Sequence, residues 1–596
     1  MKISRAWLQN YFASTLPDAA ALSDALTFHA FEIDGVEKAG DDDIIDVKVT
    51  PNRGHDALSH RAIANELSAI LPLPLKTEVD PFAKTPDFSK KTDAVTVAIE
   101  DATLCRRYIA GYVKGVKVGP SPEWLKKSLE AIGQRSINSI VDATNLVMFN
   151  IGQPLHAFDA AKLGSLAIGV RRAHKGEQLI ALDDKTYALM DSMLVITAGD
   201  VAVGIAGVKG GKPTGIDEAT TDIIIESANF EGPTTRRTAS TLKLATDASQ
   251  RFQQELSPEL CAFGMQQVVD LIAAVAGGEV QGFVDVYPNP QQPWQVSFTA
   301  AHASKLLGMT VSVEEATATL SRLSFTFNQQ GDTLMVDIPP ERLDLRIPED
   351  LIEEVGRMIG YDKVAALELP PLTMVPIVLA AFAAAERVRK DMTALGYSEV
   401  ITSVFADKGE AAVLNKVDSV KPFLRATLTD GLNEALKKNV QNKDLLGLKE
   451  VKLFEIGTVW VAGSEEMRVG IVSEKENAKE EPLSVFAKED SAYEPLPISA
   501  TERYQPFSRF PSITRDIALW VPAATTAADV QSVINSAAGP LRARTDLFDE
   551  FKKGEKTSYA FRLVFQSDEK TLTDEEANAA MNAVYEAVKA KTWEVR

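Results

Sequence analysis

With 596 residues the chain exceeds one hydrophobic core, since domains usually hold about 100–200 residues, and about four to six domains are expected. Hydrophobic residues at 45% and charged residues at 24% describe a globular chain and exclude long disorder, and the longest uncharged apolar run, 374–385, falls short of the roughly 20 residues of a membrane span. A net charge of −20 argues against a nucleic-acid partner, which wants clustered positive charge, although acidic and basic residues nearly balance over 504–596.

The first segment, MKISRAWLQNYF, lacks the apolar stretch of a signal peptide, so the protein is expected in the cytoplasm. Cys105 and Cys261 stand in no ligand spacing, which excludes a disulfide framework and a zinc knuckle and fits a reducing compartment. Trp7, Leu8, Tyr11 and Phe12 space as one helical face, strands are expected at 31–37 and 44–50, and PNRGHDALSHRAIANELSAIL reads as a turn into an amphipathic helix. A polar linker covers 76–92. From 94 to about 286 strands alternate with short helices, with tight turns in GIAGVKGGKPTG (204–215). PNPQQP (288–293) marks a boundary, and a compact unit follows to LELPPL (367–372). A long helix, ERVRKDMTALGY, then precedes strands in ITSVF and VKLFEIGTVWVAG, and a joint is expected near 485–503. The last stretch reads strand, helix, strand, strand, helix, the order of a ferredoxin-like sandwich.

Two constellations carry chemistry. In LDLRIPEDLIEEVGRMIGY (343–361), Pro348 suits a first helical turn, and Asp350, Glu353 and Glu354 at i, i+3 and i+4 project from one side of the helix. Asp344 is placed to fold back toward them. Converging carboxylates without His or Cys describe a hard-cation site for Mg²⁺ rather than zinc; equally, acids in a first turn complement the helix dipole. The glycine run GVKGGKP lacks the first glycine of a phosphate loop and puts Pro213 where its hydroxyl belongs, so a kinase or ATPase reading fails.

The acidic helix, with RSINSIVDATNLVMFNIGQPLHAFDAAKL, IAGVKGG, IIIESANFEGPTTRRTASTLKLATDASQRF, MTALGYSEVITSVF, LRATLTDGLNEAL, FEIGTVW, FSRFPSITRDIALWVP, FRLVFQSDEKTLTDEEANAAM and VTPNRGHDALSHRAIANEL, resembles the phenylalanine–tRNA ligase beta-subunit family over nearly the whole chain. The resemblance implies an α+β multidomain fold: an N-terminal domain (1–85), an editing domain of B3/B4 type (92–288) and a magnesium-binding B5-type helical or winged domain (292–370). A non-catalytic class II synthetase-like mixed sheet (372–495) and a ferredoxin-fold anticodon-binding domain (503–596) complete it. It implies a catalytic alpha subunit as partner in an α₂β₂ heterotetramer, tRNA(Phe) as second partner, ATP used by the complex, Mg²⁺ held by Asp344, Asp350, Glu353 and Glu354, and no membrane.

It also implies hydrolysis of tRNA mischarged with tyrosine. Glu226 would accept from the phenol, Gly207 and Gly210 leave room for the ring, and Thr246 and Ala248 line the pocket. Thr144, Asn145 and His156 lie near the ester, with His156 positioning substrate or water. Read without the family, His156 satisfies a loop and Glu226 pairs with Arg236 or Arg237. Arg509, Arg515, Lys552, Lys553 and Lys556 are candidate phosphate contacts, and aromatic residues of the same domain can stack on anticodon bases. Two departures stand out. QQELSPE follows RF where the family has an acid, an Arg and a Gly. Only residues 38–45 bridge FEIDGVE and DVKVTPNR, where many bacterial relatives insert a tRNA-binding barrel of OB type, so a compact variant without that barrel is expected. The competing readings are a structural and tRNA-binding subunit with decayed editing, and a free-standing tRNA-binding or deacylase protein.

Overall fold

The computed structural model describes residues 1–371, 378–416, 420–487 and 508–596, in two compact units, Met1–Leu369 and Pro370–Arg596. The domain ends expected at 372, 495 and 503 fall outside the described residues, as does most of the joint near 485–503. Among the described residues no helix is long and apolar enough to cross a membrane.

In the first unit β1 (Lys2–Ser4), β2 (Glu32–Ala39) and β3 (Asp42–Lys48) form a sheet in the order β1-β3-β2. Trp7, Leu8, Tyr11 and Phe12 are all buried in its core, but the helix expected to carry them spans only Arg5–Gln9, and Tyr11 and Phe12 lie beyond its end. Gly40 and Asp41 alone join β2 to β3, with Gly40 at φ +63°, the left-handed conformation such a turn favours. The segment 38–45 is therefore a hairpin and holds no barrel. Helix α1 (His60–Ile70) follows, capped by the Ser59 hydroxyl, which accepts from the Ala62 amide at 3.2 Å.

Two sheets stack in the next region. β4 (Thr96–Ile99), β7 (Ala167–Arg172), β8 (Leu194–Ala198), β9 (Val201–Ile205) and β10 (Lys209–Gly210) form one, in the order β10-β9-β8-β7-β4. β5 (Cys105–Lys114), β6 (Leu155–Asp159), β11 (Asp222–Phe230) and β12 (Glu279–Val286) form the other, in the order β12-β5-β11-β6. β11 is apolar nearly throughout because both of its faces are covered. Ile223 and Ile225 pack on α2 (Ser139–Ile151) and α4 (Leu260–Ala276), while Ile224, Ala228 and Phe230 face the five-stranded sheet. Glu226 shares that second, interior face, and a short helix α3 (Asp247–Phe252) closes one side of it.

The unit ends in a sheet of β13 (Gln295–Thr299), β14 (Thr326–Gln330) and β15 (Thr333–Asp337), in the order β13-β15-β14, with α5 (Pro348–Ile359) against it. Of the apolar stripe that the spacing predicts, Leu351, Ile352 and Val355 of α5 are fully buried and Ile359 partly so.

In the second unit α6 (Ala380–Ala394) and α7 (Thr429–Val440) accompany a sheet of β16 (Ser398–Glu399), β17 (Lys452–Val461), β18 (Ser464–Ser473) and β19 (Lys479–Pro482). The strand expected in ITSVF is mostly irregular. Glu455 takes the Thr402 amide at 3.1 Å and its hydroxyl at 2.7 Å, so a side chain occupies the backbone's partner position. The last domain holds β20 (Ile513–Pro522), α8 (Ala527–Ala538), β21 (Arg542–Lys553), β22 (Lys556–Phe565), α9 (Asp574–Ala590) and β23 (Glu594–Val595). Its sheet order, β21-β22-β20-β23, with both helices on one face, is the ferredoxin-like arrangement. The closing strand β23 is an addition to the expected order.

Candidate functional site

Strand register builds the first site. On β11, Glu226 lies opposite Ala110 of β5 and opposite His156 of β6, so the carboxyl and the imidazole become neighbours on the interior face. They line a cavity of about 180 Å³ together with Phe158, Gly207, Gly210 and Phe252. That is well below the roughly 300–1,000 Å³ of a site for a whole small molecule, so it suits a single side chain.

The glycines have steric reasons. A Cβ on Gly210 would stand 2.5 Å from Cε1 and 2.7 Å from Nε2 of His156, and Gly207 holds φ +69°. The half-buried His156 ring packs edge to face with Phe158 at 4.5 Å between centroids, and its buried Nε2 has no hydrogen-bond partner among the described residues. Burial pushes His156 down to about 4, so it is neutral near pH 7. Burial pushes Glu226 up to about 7, against the pull of Tyr108, whose hydroxyl donates to Oε2 at 2.8 Å. Glu226 bonds neither Arg236 nor Arg237 among the described residues; Arg237 reaches Thr234 instead.

Of the residues singled out from sequence, His156, Glu226, Gly207, Gly210 and Ala248 line one cavity. Thr246 stands behind the wall: it caps α3 and its hydroxyl donates to the Val208 carbonyl at 2.9 Å, pinning the loop that carries Gly207. Thr144 and Asn145 are not in the lining; Thr144 is buried on α2 and its hydroxyl bonds back to the Val141 carbonyl. The divergent segment QQELSPE begins after Phe252, the last wall residue, and its Gln254 and Glu255 border a different cavity. Tyr108 was missed, since only strand pairing brings residues 118 positions apart into contact.

That second cavity, about 490 Å³, is bordered by Asp344, Asp350, Glu353 and Glu354. Much of the acidity is already matched. Glu354 is buried and accepts from Arg342 Nη1 at 3.0 Å and from Arg357 Nε and Nη2 at 2.8 and 2.6 Å. Arg357 also reaches Glu66 of α1 at 2.7 Å, and Arg53 bridges Glu66 and Asp56. Asp344 takes two bonds from Arg342, at 3.0 and 2.7 Å, and one contact from His55 Nε2 at 3.0 Å. Burial alone would raise both carboxyls. Bonds from His55 and Arg342 hold Asp344 far below the usual range, and Arg342 with Arg357 do the same for Glu354.

Asp350 caps α5, its Oδ2 accepting from the amides of Arg346 and Ile347 at 2.7 and 2.9 Å. Glu353 is exposed and makes no hydrogen bond among the described residues. The donor set is therefore of the right hard-oxygen kind for Mg²⁺, but its fit is confined to the outer pair, Asp350 and Glu353.

The ferredoxin-like sheet packs its helices on one face; on the other Arg562 reaches Asp444 at 3.1 Å, and the part around Trp520 and Phe551 is open. Register puts Lys553 and Lys556 on that face beside Pro522. Arg515 and Lys552 fall on the helix side, opposite Leu563 and Thr557, and Arg515 is bound to Asp574 and Asn578 of α9. The five candidate phosphate contacts therefore do not share one face, since a shift of one residue along a strand changes the face. Arg509 is exposed ahead of β20. The open face carries Trp520 and half-exposed Phe551, edge to face at 6.1 Å, with Arg596 5.9 Å over the Trp520 ring. The alternation of Trp520 with buried Leu519 and Val521 was the signal that could have found it.

Family models match four stretches: the B3/4 domain over 104–277, the tRNA synthetase B5 domain over 296–361, the phenylalanyl tRNA synthetase beta chain CLM domain over 368–487 and the ferredoxin-fold anticodon binding domain over 508–596. A phenylalanine–tRNA ligase beta subunit from Bacillus cereus is 32% identical over 647 aligned positions, covering 92% of this chain and 79% of the relative. The counterpart from Carboxydothermus hydrogenoformans is 30% identical over 655 positions, covering 93% and 80%; that from Rhodopirellula baltica is 38% identical over 411 positions, covering 68% and 60%. The Bacillus alignment has more positions than this chain's 596 residues, so that relative holds segments this chain lacks. A solved N-terminal fragment of the phenylalanyl-tRNA synthetase beta subunit from Pyrococcus horikoshii aligns at 13% identity and TM-score 0.37 over 60% of this chain and 99% of the fragment, a likeness too distant to inform the fold.

Proposed function

This chain belongs to the phenylalanine–tRNA ligase beta-subunit family, and from that premise we propose that it supports ATP-dependent charging of tRNA(Phe) by a catalytic alpha subunit, binds the tRNA, and hydrolyses tyrosine mischarged onto it. The complex is an α₂β₂ heterotetramer working in the cytoplasm, with ATP consumed on the alpha subunit. One observation carries the editing part: a small, largely apolar slot holds a single carboxyl, Glu226, beside a neutral imidazole. A synthetic pocket shaped for phenylalanine cannot strongly reject an isostere that only adds a hydroxyl. A second pocket with a buried acceptor does the reverse, because phenylalanine would leave that acceptor unpaired.

Glu226 receives the phenol, and the ring lies over Gly207 and Gly210. With its basicity lowered by burial, His156 is a poor general base; its unpartnered Nε2 instead holds water or the ester in place. Mg²⁺ would be held by Asp350 and Glu353, next to Asp344 and Glu354, supplying positive charge to the carboxylates that no guanidinium reaches.

Hydrolysis of tyrosyl-tRNA(Phe) by the complex tests the reading. Glu226→Ala and His156→Ala should each slow it about 100-fold with phenylalanine charging intact, an effect of the size that a misplaced substrate produces. Unchanged hydrolysis in both variants would leave only the supporting role. For tRNA binding, Trp520→Ala or Phe551→Ala should weaken affinity about tenfold, as the loss of one stacked base does. Arg515→Ala, altered on the helix side, should leave affinity unchanged; equal losses in all three would remove the open face as the docking surface.

A further inference from the structure

We propose that Tyr108 is a positioning residue for substrate discrimination: its hydroxyl occupies Oε2 of Glu226 and so presents Oε1 as the single acceptor inside the cavity. The inference rests on the reading of that cavity as the hydrolytic site. Tyr108 lies on β5, two residues from Ala110, the register partner of Glu226, and on the same face of the sheet. Its ring is fully buried in the core between the two sheets, so the hydroxyl is held where it meets Oε2 at 2.8 Å. Among the described residues no other hydrogen bond reaches the Glu226 carboxyl.

A glutamate's terminal torsion is broad, so an untethered carboxyl would sample many orientations in the slot. A bond from a rigid, buried ring selects one of them before substrate arrives. The substrate phenol then meets an acceptor already aimed, and the ordering cost is not charged against its binding. A phenylalanine ring meets the same acceptor and has nothing to donate. Tyr108 thus sharpens the contrast between two substrates that differ by one hydroxyl, without touching either.

The same bond biases the charge of Glu226. The titratable groups around it are Tyr108 and Cys105 on β5 and His156 on β6, with Lys209 of β10 at the cavity wall. Burial raises Glu226 to about 7, and the Tyr108 hydroxyl, a donor to the anion, works against that rise. Removing the donor destabilises the anion and moves the titration to higher pH.

The experiment follows kcat/KM for tyrosyl-tRNA(Phe) hydrolysis by the complex from about pH 6 to about pH 9, a profile that reports groups of the free enzyme. In the native chain the rate should rise through about pH 7 as Glu226 ionises. Tyr108→Phe should lose about tenfold at neutral pH, the scale of one hydrogen bond to a charged group, and its rise should move to higher pH so that the deficit narrows there. Glu226→Gln should flatten the profile. A Tyr108→Phe profile lowered evenly, with an unmoved midpoint, would mean that the ring only packs, and would overturn the inference while leaving the hydrolytic reading intact.

No hydrolysis by the native complex at any pH would sink the hydrolytic reading itself. Calorimetric binding of tyrosinamide and phenylalaninamide to the full chain then decides on Tyr108. A native preference for the hydroxylated amide that Tyr108→Phe loses supports the inference; a preference that survives, or a native chain with none, overturns it.

Discussion

Arg357→Ala should destabilise the Met1–Leu369 unit by about 3–5 kcal/mol, the usual result of breaking a buried ion network by removing one partner. Arg357 is buried and serves Glu354 on its own helix, Glu66 on α1 and the His29 carbonyl, so its loss leaves two buried carboxylates short of a counter-charge. Both are depressed below the ordinary carboxylate range despite burial, Glu354 by Arg342 and Arg357 and Glu66 by Arg357 and Arg53. A depressed carboxyl contributes stability that is present above its unfolded value, roughly pH 4.5, and lost as pH falls through the folded value. In Arg357→Ala the folded values rise, that contribution shrinks, and the deficit should be greatest near neutral pH and fade as the solution is acidified. Thermal unfolding of the full chain measures this. As a control, Lys438→Ala, which breaks an exposed pair with Glu434, should leave the midpoint unchanged. A deficit that does not depend on pH would mean that the guanidinium matters for packing and not for charge.

Gly210→Ala should reduce tyrosyl-ester hydrolysis about 100-fold while charging proceeds normally, since a displacement near 1 Å at a reacting group costs that much. The new methyl group would lie 2.5 Å from the His156 ring, closer than atoms pack, and Phe158 stands against the same ring at 4.5 Å between centroids. Either the imidazole or the β9–β10 strand pair must shift, and both border the slot. Paired assays of tyrosyl-tRNA(Phe) hydrolysis and phenylalanine charging separate this from general unfolding. Full hydrolysis in the variant would show that the His156 position is not critical.

Local information made a large part of this molecule legible in its sequence. The core stripe of α5, the short helix that buries Trp7 and Leu8, and the ferredoxin-like order are written in spacings of two to four residues, and such patterns act within one element. The short bridge at 38–45 excluded a barrel before the hairpin was seen, because chain length alone sets that limit. The phrases around His156, Gly207, Gly210, Glu226 and Ala248 marked the cavity wall.

Tertiary structure decided which partners these residues meet. Glu354 stood out from sequence as a carboxylate on a helix; docking of α1 against α5 brought Glu66 to Arg357, 291 residues away, and turned an apparent cluster of acids into a balanced network. Pairing of β5 with β11 gave Glu226 the Tyr108 hydroxyl in place of a neighbouring arginine. The pleat set Arg515 on the helix side of its sheet and Trp520 on the other. Periodicity states which face of an element is apolar, but the identity of a polar partner depends on register and docking, which are set by contacts between distant segments.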